Sequence, residues 1–283
     1  PLTVSNIPAR LYGSLLTEAV NRQHPKLIVV DIDGFINDED TEKLEANLRK
    51  WIDNMPWSRN RIETIRTCVP AELQSSFYFN IAKYHANWYQ VDSWLPVQRR
   101  LRAMDKTGYS LSKGVETVCK SLPADFVPDV RPLTLSGANA QYLRDFCAQA
   151  QSIGTDVLFL RTPHRTQTTD PNVFADVAAV VGEYGYELLD LHDAFDTIGL
   201  DRCADFIDSD HLNTIGMEKF TAWFGQYLTG RYDLTDAHSE AVTAEWERCA
   251  DFAAQTLPLC KELAAENTNQ NLNEFSAVFE AYR

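Results

Sequence analysis

The chain has 283 residues, 45% of them apolar, which suits one large α/β domain or a domain with an appendage and lies far from a disordered composition. Its 40 acidic residues outnumber 26 basic ones, and the resulting net charge of −14 argues against nonspecific nucleic-acid binding, where Lys and Arg must meet phosphates. No apolar run approaches the roughly 20 residues a membrane helix needs, and Pro1-Leu2-Thr3-Val4 carries no basic region followed by an apolar stretch.

In chain order, a helical pattern over Leu11 to Arg22 leads through the turn signal His24-Pro25 into an apolar run, Lys26 to Ile32. A long helical stretch follows, about residues 39–139. It holds helix patterns over Glu42 to Met55, Arg59 to Thr67 and Ala71 to Trp88, the last rich in aromatics (Phe77, Tyr78, Phe79, Tyr84, Trp88) and read as core or a lid-like cover. Ala140 to Ser152 then leads through Gly154 into Asp156 to Leu160. Asn172 to Tyr184, opened by Asp170-Pro171, leads through Gly185 into Glu187 to Leu191. Continuous rather than alternating apolar strands imply cover on both faces, so the expectation is a three-layer, doubly wound parallel α/β sheet of flavodoxin-like type. An α/β domain is expected over 1–235, with the helical insertion at 39–139. Beyond it a helical extension is expected over 236–283, with Trp246, Cys249, Phe252 and Ala253 at helical spacing and a last amphipathic piece at Leu272, Phe275, Val278, Phe279 and Tyr282.

Six cysteines (Cys68, Cys119, Cys147, Cys203, Cys249, Cys260) lie far apart with no C-x-x-C pair. This sets aside a zinc ribbon or a thioredoxin motif and points to buried free thiols, or to one or two disulfides in an exported protein. No spacing implies a metal or a resident cofactor.

Sites in open α/β sheets lie beyond the carboxyl ends of strands. Those loops read Asp31-Ile32-Asp33-Gly34-Phe35-Ile36-Asn37-Asp38, Arg161-Thr162-Pro163-His164-Arg165 and His192-Asp193. A fourth segment, Asp205 to Gly216, precedes an amphipathic helix running to about Leu228 and contains Asp208-Ser209-Asp210-His211. A histidine base needs a carboxylate to hold its tautomer and stabilise the imidazolium. An Asp three residues earlier on the same turn can reach Nδ1 without help from another element.

The stretch Asp208-Ser-Asp-His211-Leu-Asn213-Thr-Ile-Gly216, followed by Phe220 and Tyr227, resembles the last block of SGNH (GDSL-like) hydrolases. It is most similar to a bacterial, often exported subgroup distantly akin to the D-alanine transfer proteins of teichoic-acid modification. Asp53 to Ile62 and Tyr84-His85-Ala86-Asn87-Trp88 resemble the same subgroup, so the likeness covers about residues 5–235. It implies a serine esterase or O-acyltransferase, located outside the cytoplasm and acting on a small ester or an acyl ester of a cell-surface glycan or polymer. His211 would be its general base and Asp208 the group that orients it. Asn6 and Asn37 take the places of the oxyanion-hole asparagines. The family's first block, an apolar strand running into a Gly-x-Ser turn, is absent, and Gly13-Ser14 lies inside a helical pattern. The glycine expected after Asn6 is replaced by Ile7-Pro8-Ala9, and Gly34-Phe-Ile-Asn37-Asp38 holds one residue more than the family's third block. The expectation is a chain shortened at its N-terminus and inactive without the missing serine.

A rival resemblance lies in Leu27-Ile-Val-Val-Asp31-Ile-Asp33-Gly34, which looks like the first motif of haloacid-dehalogenase-type phosphatases. There two aspartates act as nucleophile and acid beside magnesium, and Leu160-Arg161-Thr162 would imitate the second motif. Phe35 stands where that family has Thr, and no strand ends in paired aspartates. A non-catalytic binding module on the SGNH fold is the third reading.

Overall fold

The computed structural model describes residues 6–37, 39–79, 83, 118–234 and 238–265. The chain forms two compact units, the first comprising Pro1–Tyr89, Val130–Thr162 and Gln167–Leu191, the second Gln90–Asp129, Pro163–Thr166 and His192–Arg283.

The first unit opens with a 3₁₀ turn, Ala9–Leu11, and helix α1, Tyr12–Gln23. α1 ends because His24 turns left-handed (φ 45°) and Pro25 cannot continue a helix. Strand β1 (Leu27–Asp31) and a single turn, α2 (Asp33–Ile36), follow, then helices α3 (Leu44–Ile52), α4 (Arg59–Cys68) and α5 (Gln74–Tyr78). A two-residue strand, β2 (Val130–Arg131), precedes α6 (Gly137–Ile153). α6 is capped by the Ser136 hydroxyl, which accepts from Asn139 N, and it ends at left-handed Gly154. Strand β3 (Asp156–Arg161), the short β4 (Gln167–Thr168), helix α7 (Val173–Gly182) and strand β5 (Leu188–Asp190) complete the unit.

β1, β3 and β5 form a parallel sheet in that order, with Val30 opposite Phe159 and Phe159 opposite Leu188. The period of two therefore puts Ile28, Val30, Val157, Phe159 and Leu188 on one face. They pack there against Leu16 of α1, Phe146 and Ala150 of α6, and Val177 and Val181 of α7. On the other face Leu158 and Leu160 are buried, but Val29 is 39% exposed. The parallel α/β sheet is as expected, while the cover expected on both faces is incomplete at β1. β2 pairs in parallel with β4.

Helices α3, α4 and α5 make a second core from Leu48, Trp51, Ile52, Met55, Ile65 and Phe77. The helix expected over Ala71 to Trp88 is broken after Tyr78, because Phe79 leaves helical geometry (φ −123°, ψ 77°), and Lys83 is again helical. Phe77 is core and Phe79 is exposed. Asp38, the block Tyr84 to Trp88 and the piece from Leu272 to Tyr282 lie outside the described residues.

Among its described residues the second unit holds one turn, α8 (Phe195–Ile198), and two long helices, α9 (Thr214–Arg231) and α10 (Glu240–Ala265). On α10 the buried stripe is Cys249, Phe252 and Thr256. Trp246 and Ala253, expected in that stripe, are exposed, Trp246 at 52%. The thiols of Cys68, Cys147, Cys203 and Cys249 are not in disulfides. Burial pushes the Cys147 thiol up to about 12 and the Cys68 thiol upward as well.

Candidate active site

In the second unit, residues 205–213 fold into a closed loop. Phe206 bridges Leu212 in antiparallel fashion, Ile207 N donates to His211 O (3.0 Å), and Asn213 N donates to Asp205 O (2.9 Å). The tip of this loop is Asp208 to His211. Asp208 Oδ1 accepts from the backbone N–H of Asp210 and of His211, both at 2.8 Å, and His211 Nδ1 lies 3.0 Å from each carboxylate oxygen. A carboxylate only accepts, so Nδ1 carries the proton and the Nε2 lone pair is left to act as a base. Partial burial would raise the Asp208 carboxyl. The N–H of Asp210, the imidazole and the N–H of His211 outweigh it and hold the group below the usual carboxylate range. The side chains are 51% and 68% exposed, so water screens their attraction.

The two residues between them hold the turn. Buried Ser209 accepts at its carbonyl from Arg165 N (2.6 Å) and Thr166 N (3.1 Å), and at Oγ from Asp129 N (2.9 Å). The Thr166 hydroxyl donates to the Asp210 carboxylate. Behind the turn, the fully buried Asn213 caps α9. Its Oδ1 accepts from Ile215 N and Gly216 N, and its Nδ2 donates to Lys120 O and Ala204 O. Gly216 is required there, because a Cβ would strike the backbone carbonyl of Asp205. Asp205 itself is buried and takes Lys219 Nζ at 2.6 Å.

The loops after β3 and β5 also meet within this unit. The rings of His164 and His192 lie 4.6 Å apart, tilted by 59°. The Arg165 guanidinium lies over Phe126, 4.9 Å from its centroid. The sequence marks 161–165 and 192–193 as strand-end loops but does not pair the two histidines, and Asp129 and Thr166 carry no signal in it.

The remaining sequence candidates lie in the first unit. Asn6 is exposed, with positive φ (55°). Asn37 is exposed and its Nδ2 donates to Asp33 O (2.7 Å), so that N–H is committed to its own turn. Gly34 has no room for a side chain because a Cβ would meet the Tyr12 ring. Asp31 ends β1 beside Thr162. Burial raises its carboxyl, against the N–H of Asp33 (2.9 Å) and the Thr162 hydroxyl, which lower it. Asp33 is exposed at the start of α2. Ser14 lies inside α1, where its Oγ is bonded to Trp51 Nε1 (3.1 Å) and Thr64 Oγ1 (2.7 Å). Among the described residues, no group of three or more His, Cys, Asp or Glu side chains is placed to hold a metal ion. No helix among them is long and apolar enough to cross a membrane.

No family model matches the chain, and neither a curated protein nor a solved structure matches it significantly.

Proposed function

We propose that Asp208 and His211 are the acid/base pair of an SGNH-like serine esterase or O-acyltransferase working outside the cytoplasm on acyl esters of a cell-surface glycan or polymer. One observation carries this reading. His211 Nδ1 is held by both oxygens of Asp208 on a turn whose middle residues are pinned by Asp129, Arg165 and Thr166. That arrangement fixes the tautomer and leaves Nε2 to take a proton from an attacking hydroxyl and return it to the leaving group. The hydroxyl comes from a strand-to-Gly-x-Ser segment that this sequence lacks, since Ser14 is committed to Trp51 and Thr64. The test is short-chain ester turnover by a form of the protein that carries such a segment. His211→Ala should lower kcat by about 10²- to 10⁴-fold, and unchanged turnover would end the proposal.

A second reading is favoured by the contact between Asp31 and Thr162 at neighbouring strand ends, the placement a haloacid-dehalogenase-like phosphatase uses. In it Asp31 attacks phosphorus and Asp33 supplies the acid beside magnesium. A raised carboxyl at Asp31 works against a nucleophile, which places this reading second. Magnesium-dependent phosphatase activity lost in Asp31→Asn would reverse the order. If neither assay gives turnover, the binding-module reading is left.

A further inference from the structure

The start of α4 holds a cation that no carboxylate among the described residues pairs with. Arg61 is 4% exposed, and among the described residues its side chain makes one hydrogen bond, from Nη1 to the carbonyl of Met55 at 2.5 Å. Its Nε is buried with no partner. The neighbouring carboxylates are committed elsewhere: Glu18 pairs with Arg22, Asp53 with Arg49, and Glu63 with Arg66. The Trp57 ring lies over the guanidinium, its centroid 4.8 Å from Cζ, and is itself 63% exposed. Buried charges are ordinarily paired, because a charge taken out of water without a partner loses its hydration for nothing. A chain with 40 acidic residues and 26 basic ones has carboxylates to spare, yet none of the described ones pairs with Arg61.

The backbone adds to the imbalance. The first turn of α4 contains no acidic residue and two arginines, Arg59 and Arg61, at the end where the helix dipole is already positive. Ser58 caps only one of the open N–H groups, that of Arg61 at 3.1 Å. Because Met55 O ties down Nη1, the side of the fork left unbonded is the Nε–Nη2 edge. That edge binds carboxylate or phosphate through two parallel hydrogen bonds.

We propose that Arg61, at the N-terminus of α4 and beneath Trp57, is the recognition group of an oxyanion site, taking a carboxylate or phosphate group of a ligand on its Nε–Nη2 edge. Trp57, exposed and in ring contact with the guanidinium, flanks whatever carries the anion. The site belongs to the first unit and is independent of the acid/base reading of Asp208 and His211.

The test is a titration of ¹⁵N-labelled protein with inorganic phosphate and with acetate, against chloride at matched ionic strength, following the Arg61 Nε–H resonance and the thermal midpoint. At least one oxyanion should move the Nε–H resonance along a saturating curve and raise the midpoint, while chloride does neither. The tighter of the two identifies the anion. Arg61→Lys keeps the charge but not the two-donor edge and should weaken binding by about tenfold or more. The proposal is overturned if the Nε–H resonance moves no more with either oxyanion than with chloride, or if Arg61→Lys binds as well as the parent. Should the variant fail to fold, the wild-type Nε–H titration decides alone.

Discussion

Replacing Asn213 by Asp would separate helix capping from the second task of this side chain. At an ordinary N-cap Asn and Asp are equivalent, and loss of either costs about 1 kcal/mol. Here Oδ1 does the capping, while Nδ2 donates to Lys120 O (3.1 Å) and Ala204 O (2.6 Å) in a fully buried position. Asp keeps the cap but sets an anionic oxygen against two carbonyls and leaves Lys120 O without a donor, while Ala204 O keeps the Ser121 hydroxyl (3.0 Å). One buried polar group left unpaired costs about 1–3 kcal/mol, so with the repulsion at both carbonyls Asn213→Asp should lose about 2–4 kcal/mol. Asn213→Ala, which also loses the cap but brings no repulsion, should fall in the same range. Against a total stability of about 5–15 kcal/mol this is a large fraction. Urea denaturation at neutral pH, followed by circular dichroism, reads it directly. An Asn213→Asp variant within about 0.5 kcal/mol of the parent would show that capping alone matters and would refute the account of how the 205–213 loop is joined to residues 118–122.

Further variants test neighbouring parts of the account. Gly216→Ala gains about 1 kcal/mol of helix propensity, but its methyl collides with the Asp205 carbonyl, so the same denaturation assay should show a net loss of about 1–3 kcal/mol; a stabilised variant would contradict the close approach. Burial raises the folded Asp31 carboxyl above its unfolded value, so stability falls as pH rises from about 3.9 through the folded value, and the cost persists at neutral pH. Asp31→Asn should therefore be more stable than the parent at pH 7 and lose that advantage in acid. Asp208 has the opposite sign: its folded value is lowered, so its contribution is present above the unfolded value and is lost as pH falls through the folded one. Asp208→Asn should flatten the acid limb of a stability profile, modestly because the pair is half exposed. Of the five described thiols, half-buried Cys203 should be the first alkylated in native protein, with buried Cys68 and Cys147 lagging in a mass-resolved time course.

What could be read from sequence was local. Leu27-Ile-Val-Val and Asp156-Val-Leu-Phe-Leu announce buried strands by composition, and His24-Pro25 and Gly154 mark helix ends through backbone chemistry. The Asp208–His211 contact was legible because three residues of one turn bring the groups together. What holds that turn was not, since Asp129 and Lys120 reach Ser209 and Asn213 across 80 and 93 residues. β2 and β4 are two residues each, too short for any periodicity. The helical spacing of Trp246 and Cys249 showed a stripe but not which edge of it faces the core. Arg61 lies in the stretch Asp53 to Ile62, yet nothing in Trp57-Ser-Arg-Asn-Arg61 tells that this arginine is the buried one.

The acid/base claim is tested most directly by a double-mutant cycle of Asp208→Asn and His211→Ala on short-chain ester turnover, in a form of the protein carrying the strand-to-Gly-x-Ser segment. If the two groups act as one unit, each single variant loses most of the activity and the double variant loses little more than His211→Ala alone. Losses that simply multiply, or a His211→Ala variant with parental turnover, would contradict it.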